Sequence, residues 1–149
     1  MANYARTFDR ACLDIESAYT EKRIPLYNED SVVYYIRWWC EKRLGKVARV
    51  ESKGSYGKDI QICNRFGQAR LYAEVKMARS DSENYSSRKK KYFHDIERLE
   101  KKVKGAQRRG RFVIFDKMNS IEGTNLERDL RKKCKQSDVK LIIMKGTKS

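Results

Sequence analysis

Two short segments of the chain place acidic and basic side chains where they could act together. Asp59 begins the run DIQIC, in which polar and apolar residues alternate, and Glu74 and Lys76 lie in the next such run, LYAEVKM. Because side chains alternate across a strand, Glu74 and Lys76 point to one face of theirs, and Asp59 and Gln61 share a face of the preceding one. The short link between the two runs predicts a hairpin.

A hairpin whose polar faces coincide brings Asp59 beside Glu74 and Lys76. Two neighbouring carboxylates are the hard oxygen ligands that Mg²⁺ and Mn²⁺ take while keeping waters for a substrate phosphate. A lysine beside them lowers the pKa of an attacking water or neutralises charge that builds up on a phosphorane. The expected chemistry is therefore metal-assisted attack on a phosphate.

Composition supports a polyanionic partner. The 149 residues include 35 Lys and Arg against 20 Asp and Glu, a formal net charge of +15 with a pI near 9.8. An excess of this size on one domain is typical of nucleic-acid binding. The alternative is a basic soluble protein without such a function. No membrane segment and no secretory signal are expected, which makes the cytoplasm the predicted location.

Histidine and cysteine usage narrows the chemistry further. His94 is the only histidine, so Ser- or Cys-based triads are not expected. The four cysteines have no zinc-ligand spacing, and Cys12 and Cys40 occupy apolar positions of helical patterns. They are predicted to be buried free thiols in a reducing compartment. Catalysis, if present, has to use carboxylates and lysines, with no small-molecule cofactor.

Hydrophobic periodicity predicts nine elements in the order α-α-β-β-β-α-β-α-β. The helices are expected at about 5–21, 29–44, 87–108 and 124–135, and the strands at about 46–51, 59–63, 71–77, 111–115 and 139–144. FVIF and LIIM, apolar on both faces, suit central strands covered by helices. The fold class is α/β with a mixed sheet, and residues 1–149 form one domain.

The motif and its setting resemble the PD-(D/E)XK nuclease superfamily, which has the restriction-endonuclease-like fold. Asp59 is followed after a hairpin by Glu74-Val75-Lys76, with a helix before this unit and a helix and a strand after it. The resemblance covers roughly residues 29–116, the expected catalytic core. Residues 1–28 would then be an N-terminal helical extension, and 117–149 a C-terminal helix and strand.

The resemblance implies a role for each of these residues. Asp59 and Glu74 would ligate Mg²⁺ or Mn²⁺ with help from the Val75 carbonyl, and Lys76 would orient or activate the water. Many members add an acid from the helix before the sheet; Glu29 fits this role best and Glu41 second.

The loop before Asp59 is similar to the corresponding loop of archaeal Holliday-junction resolvases. It reads Gly54-Ser55-Tyr56-Gly57-Lys58, and this similarity makes Ser55 a candidate phosphate contact. Lys58 stands where the superfamily motif has proline, the least constrained element of the motif.

A carboxylate-x-Lys string is by itself weak evidence in a chain with 37% charged residues. The same string occurs at Glu51-Ser52-Lys53, Glu100-Lys101-Lys102 and Asp138-Val139-Lys140. Only Glu74 has both the hairpin and the upstream aspartate. The alternative for Asp59, Glu74 and Lys76 is a salt-bridge cluster on an exposed sheet face.

A basic helix after the third strand supports nucleic-acid binding. Between Arg88 and Arg111 there are eleven Lys or Arg residues and three acids. Side chains near the end of the catalytic strand are expected to contact the phosphate backbone. The predicted contact set is Ser55, Lys58, Gln61, Arg79, Arg88, Lys89, Lys90 and Lys91.

The sequence therefore predicts a Mg²⁺-dependent endodeoxyribonuclease, with DNA favoured over RNA as substrate. The alternatives are a non-catalytic nucleic-acid-binding protein with the same fold, an RNA-cleaving, toxin-like nuclease, and, less favoured, a structural protein that binds nucleic acid. Four aromatic residues of the second helix, at 34, 35, 38 and 39, suit the core or a dimer surface, and the alternative is stacking on nucleic-acid bases. A homodimer would allow both strands of a duplex to be cut.

Overall fold

The structure is a computed structural model that describes residues 3–45, 48–53, 59–78, 85–104 and 109–146; for 48–53 and Asp59 the description is of the backbone. The elements follow the predicted order. They are α1 (Tyr4–Thr20), α2 (Glu29–Leu44), β1 (Ala48–Lys53), β2 (Asp59–Asn64), β3 (Ala69–Ala78), α3 (Tyr85–Val103), β4 (Arg109–Asp116), α4 (Asn125–Gln136) and β5 (Val139–Lys145).

The five strands form one mixed sheet in the order β1-β2-β3-β4-β5. β1, β2 and β3 pair antiparallel, whereas β4 pairs parallel with both β3 and β5. Each parallel connection contains a helix, α3 or α4, as parallel strands require. The predicted α/β fold with a mixed sheet is confirmed.

Helices cover both faces of the sheet, and β4 is buried between them as predicted, whereas β5, also predicted to be central, is an edge strand. Val113 and Phe115 belong to the core under α1 and α2, while Phe112 and Ile114 belong to the core under α3 and α4. All four are at most 1% exposed. The α1/α2 face and the α3/α4 face therefore have separate apolar cores on the two sides of one sheet.

Capping fixes where α2 begins and ends. The Asn28 side chain accepts a hydrogen bond from the Ser31 backbone N–H at 2.9 Å, and the Asn28 backbone N–H donates to the Ser31 hydroxyl at 3.1 Å. This reciprocal pair is a capping box. The helix ends at Gly45, whose φ of 59° is in the left-handed region that glycine tolerates. Glu29 is thus held as the first helical residue.

The helical periodicity of α3 predicts a buried stripe of Phe93, Ile96, Leu99 and Val103, and this prediction is only partly correct. Ile96 and Leu99 are buried, but Phe93 and Val103 are half-buried. The other buried residues of α3 are Arg88, Tyr92 and Asp95, and Phe93 instead lies at the edge of the helix, near Lys133 of α4. The helix also ends at Val103, earlier than predicted. Within the described residues, no helix has the length and apolar character needed to cross a membrane.

Candidate active site

The hairpin register brings Asp59 and Glu74 together as predicted. They are directly opposed partners in the β2–β3 ladder, and directly opposed positions of an antiparallel pair lie on the same face. The turn between the strands is closed by Asn64, whose side chain accepts hydrogen bonds from the Phe66 and Gln68 backbone N–H groups at 2.9 and 3.0 Å. A register shift between Ile62 and Cys63 then aligns Asp59 with Glu74. The Asp59 side chain itself lies outside the described part.

Glu74 is a buried carboxylate held by two cations. It is 4% exposed, and its Oε1 lies 2.6 Å from Arg98 Nη2 and 3.4 Å from Lys76 Nζ. A buried charge needs such partners, because removing a carboxylate from water costs several kcal/mol, by an order-of-magnitude estimate. We call Glu74, Lys76, Asp95 and Arg98 the Glu74 cluster. The cluster lies between β3 and α3, so Glu74 is not part of an exposed sheet face.

Lys76 connects Glu74 to a second carboxylate. Its Nζ lies 3.2 Å from Asp95 Oδ2, and its side chain is 25% exposed. Burial lowers the pKa of Lys76, but the Asp95 and Glu74 carboxylates raise it by more, so the net shift is upward from the ordinary value. Lys76 is therefore an ammonium at neutral pH. It can stabilise negative charge but cannot act as a general base.

Glu29 is the helix acid that reaches this site. Its Oε1 accepts a hydrogen bond from the backbone N–H of Met77 at 3.2 Å, one residue beyond Lys76. Its charge also contributes to the raised pKa of Lys76. Glu41, the second choice from sequence, lies near the other end of α2 and is 3.5 Å from Arg37. The first turn of α2 and the end of β3 thus meet.

Sequence reasoning missed two residues of this cluster, Asp95 and Arg98. Asp95 is 8% exposed and lies between the buried positions Tyr92 and Leu99 of α3. Arg98 follows one turn later and contacts Asp95 Oδ1 at 3.1 Å as well as Glu74. The sequence feature that could have identified Asp95 is an acid at a buried position of an amphipathic helix, because such a residue needs a buried partner.

A hard divalent cation at this site would need oxygen ligands from more than one segment of the chain. Glu29 and Glu74 supply carboxylates and Val75 a backbone carbonyl, which are the oxygen ligands that Mg²⁺ and Mn²⁺ prefer. Among the described residues, no three His, Cys, Asp or Glu are grouped so that they could hold a metal ion. The carboxylates that would hold a metal here are Glu29 and Glu74, with Asp59, whose register partner is Glu74.

Comparison with known proteins yields no relative. No family model matches the chain, and neither a curated protein nor a solved structure does. The functional assignment has to come from the residues themselves.

The predicted phosphate contacts differ in exposure. Arg88 is 9% exposed and donates to the Ser120 hydroxyl at 3.3 Å, so it is a packing residue. Lys89 is half-buried and lies 3.3 Å from Asp129, whereas Lys90 and Lys91 are exposed. Of the other four predicted positions, Gln61 lies on β2, and Ser55, Lys58 and Arg79 lie outside the described residues.

Gln61 borders a cleft beside Glu74. The cleft has a volume of about 330 Å³ and is lined also by Tyr72, Leu99 and Lys102. The Gln61 amide donates to the Cys63 sulfur at 3.2 Å. An amide, an aromatic ring and an ammonium group thus surround an opening that leads to the Glu74 carboxylate.

The two helical faces of the sheet differ in charge. α3 and α4 together carry twelve basic and five acidic side chains, a formal net charge of +7. α1 and α2 carry five basic and six acidic side chains, a net charge of −1. Glu74 and Lys76 lie on the side of the positive pair, next to α3. A polyanion is therefore attracted to the face on which the cluster lies.

The cysteines take no part in this cluster. Cys12, Cys40, Cys63 and Cys134 are free and buried, which confirms the prediction for the first two. Burial raises the pKa of Cys40 to about 12 and that of Cys12 well above the ordinary value. Such thiols are unreactive at neutral pH.

Proposed function

We propose that this protein is a metal-dependent nuclease that hydrolyses phosphodiester bonds in DNA. One observation carries the proposal: Glu29 of α2 contacts the Met77 backbone beside Lys76, and Lys76 lies 3.4 Å from Glu74, the register partner of Asp59. A solely structural ion-pair cluster does not require an acid from the first turn of α2 as well. The +7 charge of the adjacent helices supplies attraction for the substrate.

In this proposal Asp59, Glu74 and Glu29 would hold Mg²⁺ or Mn²⁺ with the Val75 carbonyl. A bound ion of this kind supplies Lewis-acid activation and a water of lowered pKa. Lys76, kept protonated by Asp95 and Glu74, stabilises the charge that develops on the phosphorane. Asp95 acts as a positioning residue, because it fixes the Lys76 ammonium at 3.2 Å.

Arg98 has to move for the carboxylate of Glu74 to take a cation. Its side chain is 49% exposed, and a half-exposed arginine pays little to turn toward solvent. A substrate phosphate offers it a bidentate partner in exchange for Glu74. When a substrate phosphate binds Arg98, Glu74 therefore becomes available to bind the metal ion.

A non-catalytic nucleic-acid-binding protein is the second candidate. The observation that favours it is the same Arg98–Glu74 contact at 2.6 Å, because a carboxylate already paired with an arginine does not need a metal. The basic face would then bind nucleic acid without turnover.

The purified protein incubated with duplex, branched and single-stranded DNA and with RNA, in Mg²⁺ or EDTA, separates the candidates. A nuclease cuts at least one substrate in Mg²⁺ alone, and cleavage of DNA over RNA supports the preferred substrate. Glu74→Gln is expected to abolish cutting, whereas Glu100→Gln, the same change in a motif-like string on α3, is expected to preserve it. Salt-sensitive binding without Mg²⁺-dependent cutting would establish the second candidate instead.

A further inference from the structure

Four exposed side chains follow one ridge of α2 at four-residue spacing: Asp30, Tyr34, Trp38 and Lys42. Tyr34 is 63% and Trp38 44% exposed. The Lys42 ammonium lies 4.9 Å from the centre of the Trp38 ring, so the two side chains are in contact along the ridge. The core does not need these rings, because other aromatic residues of α2 pack against it. We call these four residues the α2 ridge.

The α2 ridge is complementary to itself. Read along the helix, it runs acid, aromatic, aromatic, base. If two copies of α2 pair antiparallel about a two-fold axis midway between Tyr34 and Trp38 on the ridge, Asp30 comes near Lys42 of the second copy, and the Tyr34 and Trp38 rings of the two copies interdigitate. Packing of four-residue ridges into the grooves of a partner helix is the commonest class of helix pairing. A two-fold axis repeats each contact, as an isologous interface requires.

Charge selects this face for self-association. With a net charge of +15, two copies repel each other at long range. The α3 and α4 helices, at +7, oppose contact between copies, whereas α1 and α2 together carry −1. Exposed aromatic rings on the near-neutral face provide contact area without this repulsion.

We propose that the α2 ridge is a homodimer interface in which a Tyr34 and Trp38 centre is flanked by two Asp30–Lys42 ion pairs. One helix ridge buries less area than the roughly 1,200 Å² typical of a stable complex. The dimer is therefore expected to be weak, with a dissociation constant of about 1 to 100 µM. This inference does not depend on the proposed nuclease activity.

Sedimentation velocity of the full chain from about 1 to about 300 µM tests the proposal over that affinity range. The wild type should shift from monomer to dimer as concentration rises. Trp38→Ala should weaken association tenfold or more. Phe66→Ala, at a ring that is 74% exposed in the β2–β3 turn, should leave association unchanged.

The charges of the α2 ridge allow a sharper test. Asp30→Lys and Lys42→Asp each place like charges opposite each other and should weaken association when measured alone. An equimolar mixture of the two variants restores both ion pairs and should recover dimers as heterodimers. Both changes weaken the helix by opposing its dipole, so recovery cannot come from helix stability, and circular dichroism checks that each variant is folded.

Three results would overturn the proposal. They are a wild type that stays monomeric throughout the range, a mixture that fails to recover association, and equal weakening by Phe66→Ala and Trp38→Ala.

Discussion

The α1/α2 face and the α3/α4 face each cover an apolar core on one side of the sheet, but their helices differ in net charge. On the first face acids balance bases, for example where Arg43 lies 2.6 Å from Asp14 and Arg111 2.7 Å from Asp9. On the second face Asp95 pairs with Lys76 of the sheet, and α3 and α4 together carry a net charge of +7. Apolar side chains are buried under both faces, so packing does not explain the excess of basic side chains on α3 and α4. The proposed binding of a polyanion to the α3/α4 face would explain the difference. We call the α1/α2 face the stabilising face and the α3/α4 face, the proposed binding site, the recognition face.

The largest expected effect tests the stabilising face. Phe8 of α1 is 0% exposed within the core shared with α2. Phe8→Ala should lower the free energy of unfolding by about 3–5 kcal/mol, because it leaves a cavity. Urea titration measures this loss. Nucleic-acid affinity of the folded protein and its salt dependence should not change; a reduced salt slope would mean that the two faces are not separate.

The second effect tests the recognition face. Replacing the Lys89–Lys91 run with alanine should weaken duplex binding about 10- to 100-fold and reduce the slope of log K against log salt by up to about 3. Fluorescence anisotropy at several salt concentrations measures both. The matched control replaces Arg6, Arg10 and Arg43 of the opposite face, and equal weakening by that control would remove the distinction.

The third effect tests the cluster that links the recognition face to the sheet. Arg98→Ala removes a partner from Glu74 and Asp95 while Lys76 remains, so we expect a loss of about 1–2 kcal/mol in unfolding free energy. Arg128→Ala, at an ion pair whose arginine is 73% exposed, should cost less than about 0.5 kcal/mol. Equal urea midpoints for the two variants would contradict the importance of the cluster.

The smallest effect is a pH dependence. The folded-state pKa of Lys76 lies above its ordinary value, after burial lowers it and Asp95 and Glu74 raise it by more. Its contribution to stability is therefore complete below about pH 10.4, the unfolded value, and is lost as pH rises through the folded pKa. Unfolding between pH 9 and 12 should show a steeper decline for the wild type than for Lys76→Met. If the unfolding free energy of the two proteins fell equally with pH, Lys76 would not be stabilised by ion pairs with Asp95 and Glu74.

Local signals were enough to predict much of the fold. Alternation and helical periodicity predicted the nine elements in order, and α2 has the predicted bounds of 29–44. The alternation of both strands predicted which face Asp59 and Glu74 share, because a one-residue slip would move Ile60 and Ile62 out of the core. The register shift between Ile62 and Cys63, on which the direct pairing of Asp59 with Glu74 depends, was not predicted.

Tertiary orientation was not predictable in the same way. Whether Arg88 or Lys90 faces solvent depends on how α3 rotates against the sheet, and spacing alone does not fix that rotation. The same rotation places Arg98 against Glu74 and Asp95 against Lys76. Conversely, Glu29 was predictable as a candidate, but its contact with Met77 depends on the angle at which α2 meets β3.

Single-turnover cleavage of a labelled DNA duplex in Mg²⁺ tests the central claim most directly, with Lys76→Met compared with Lys140→Met. Lys140 belongs to the motif-like string Asp138-Val139-Lys140 but is 55% exposed and paired with Asp9. The account predicts that the wild type and Lys140→Met cut at similar rates and that Lys76→Met is slower by about 100- to 1,000-fold or more. A Lys76→Met protein that is folded and cuts as fast as the wild type would contradict the account.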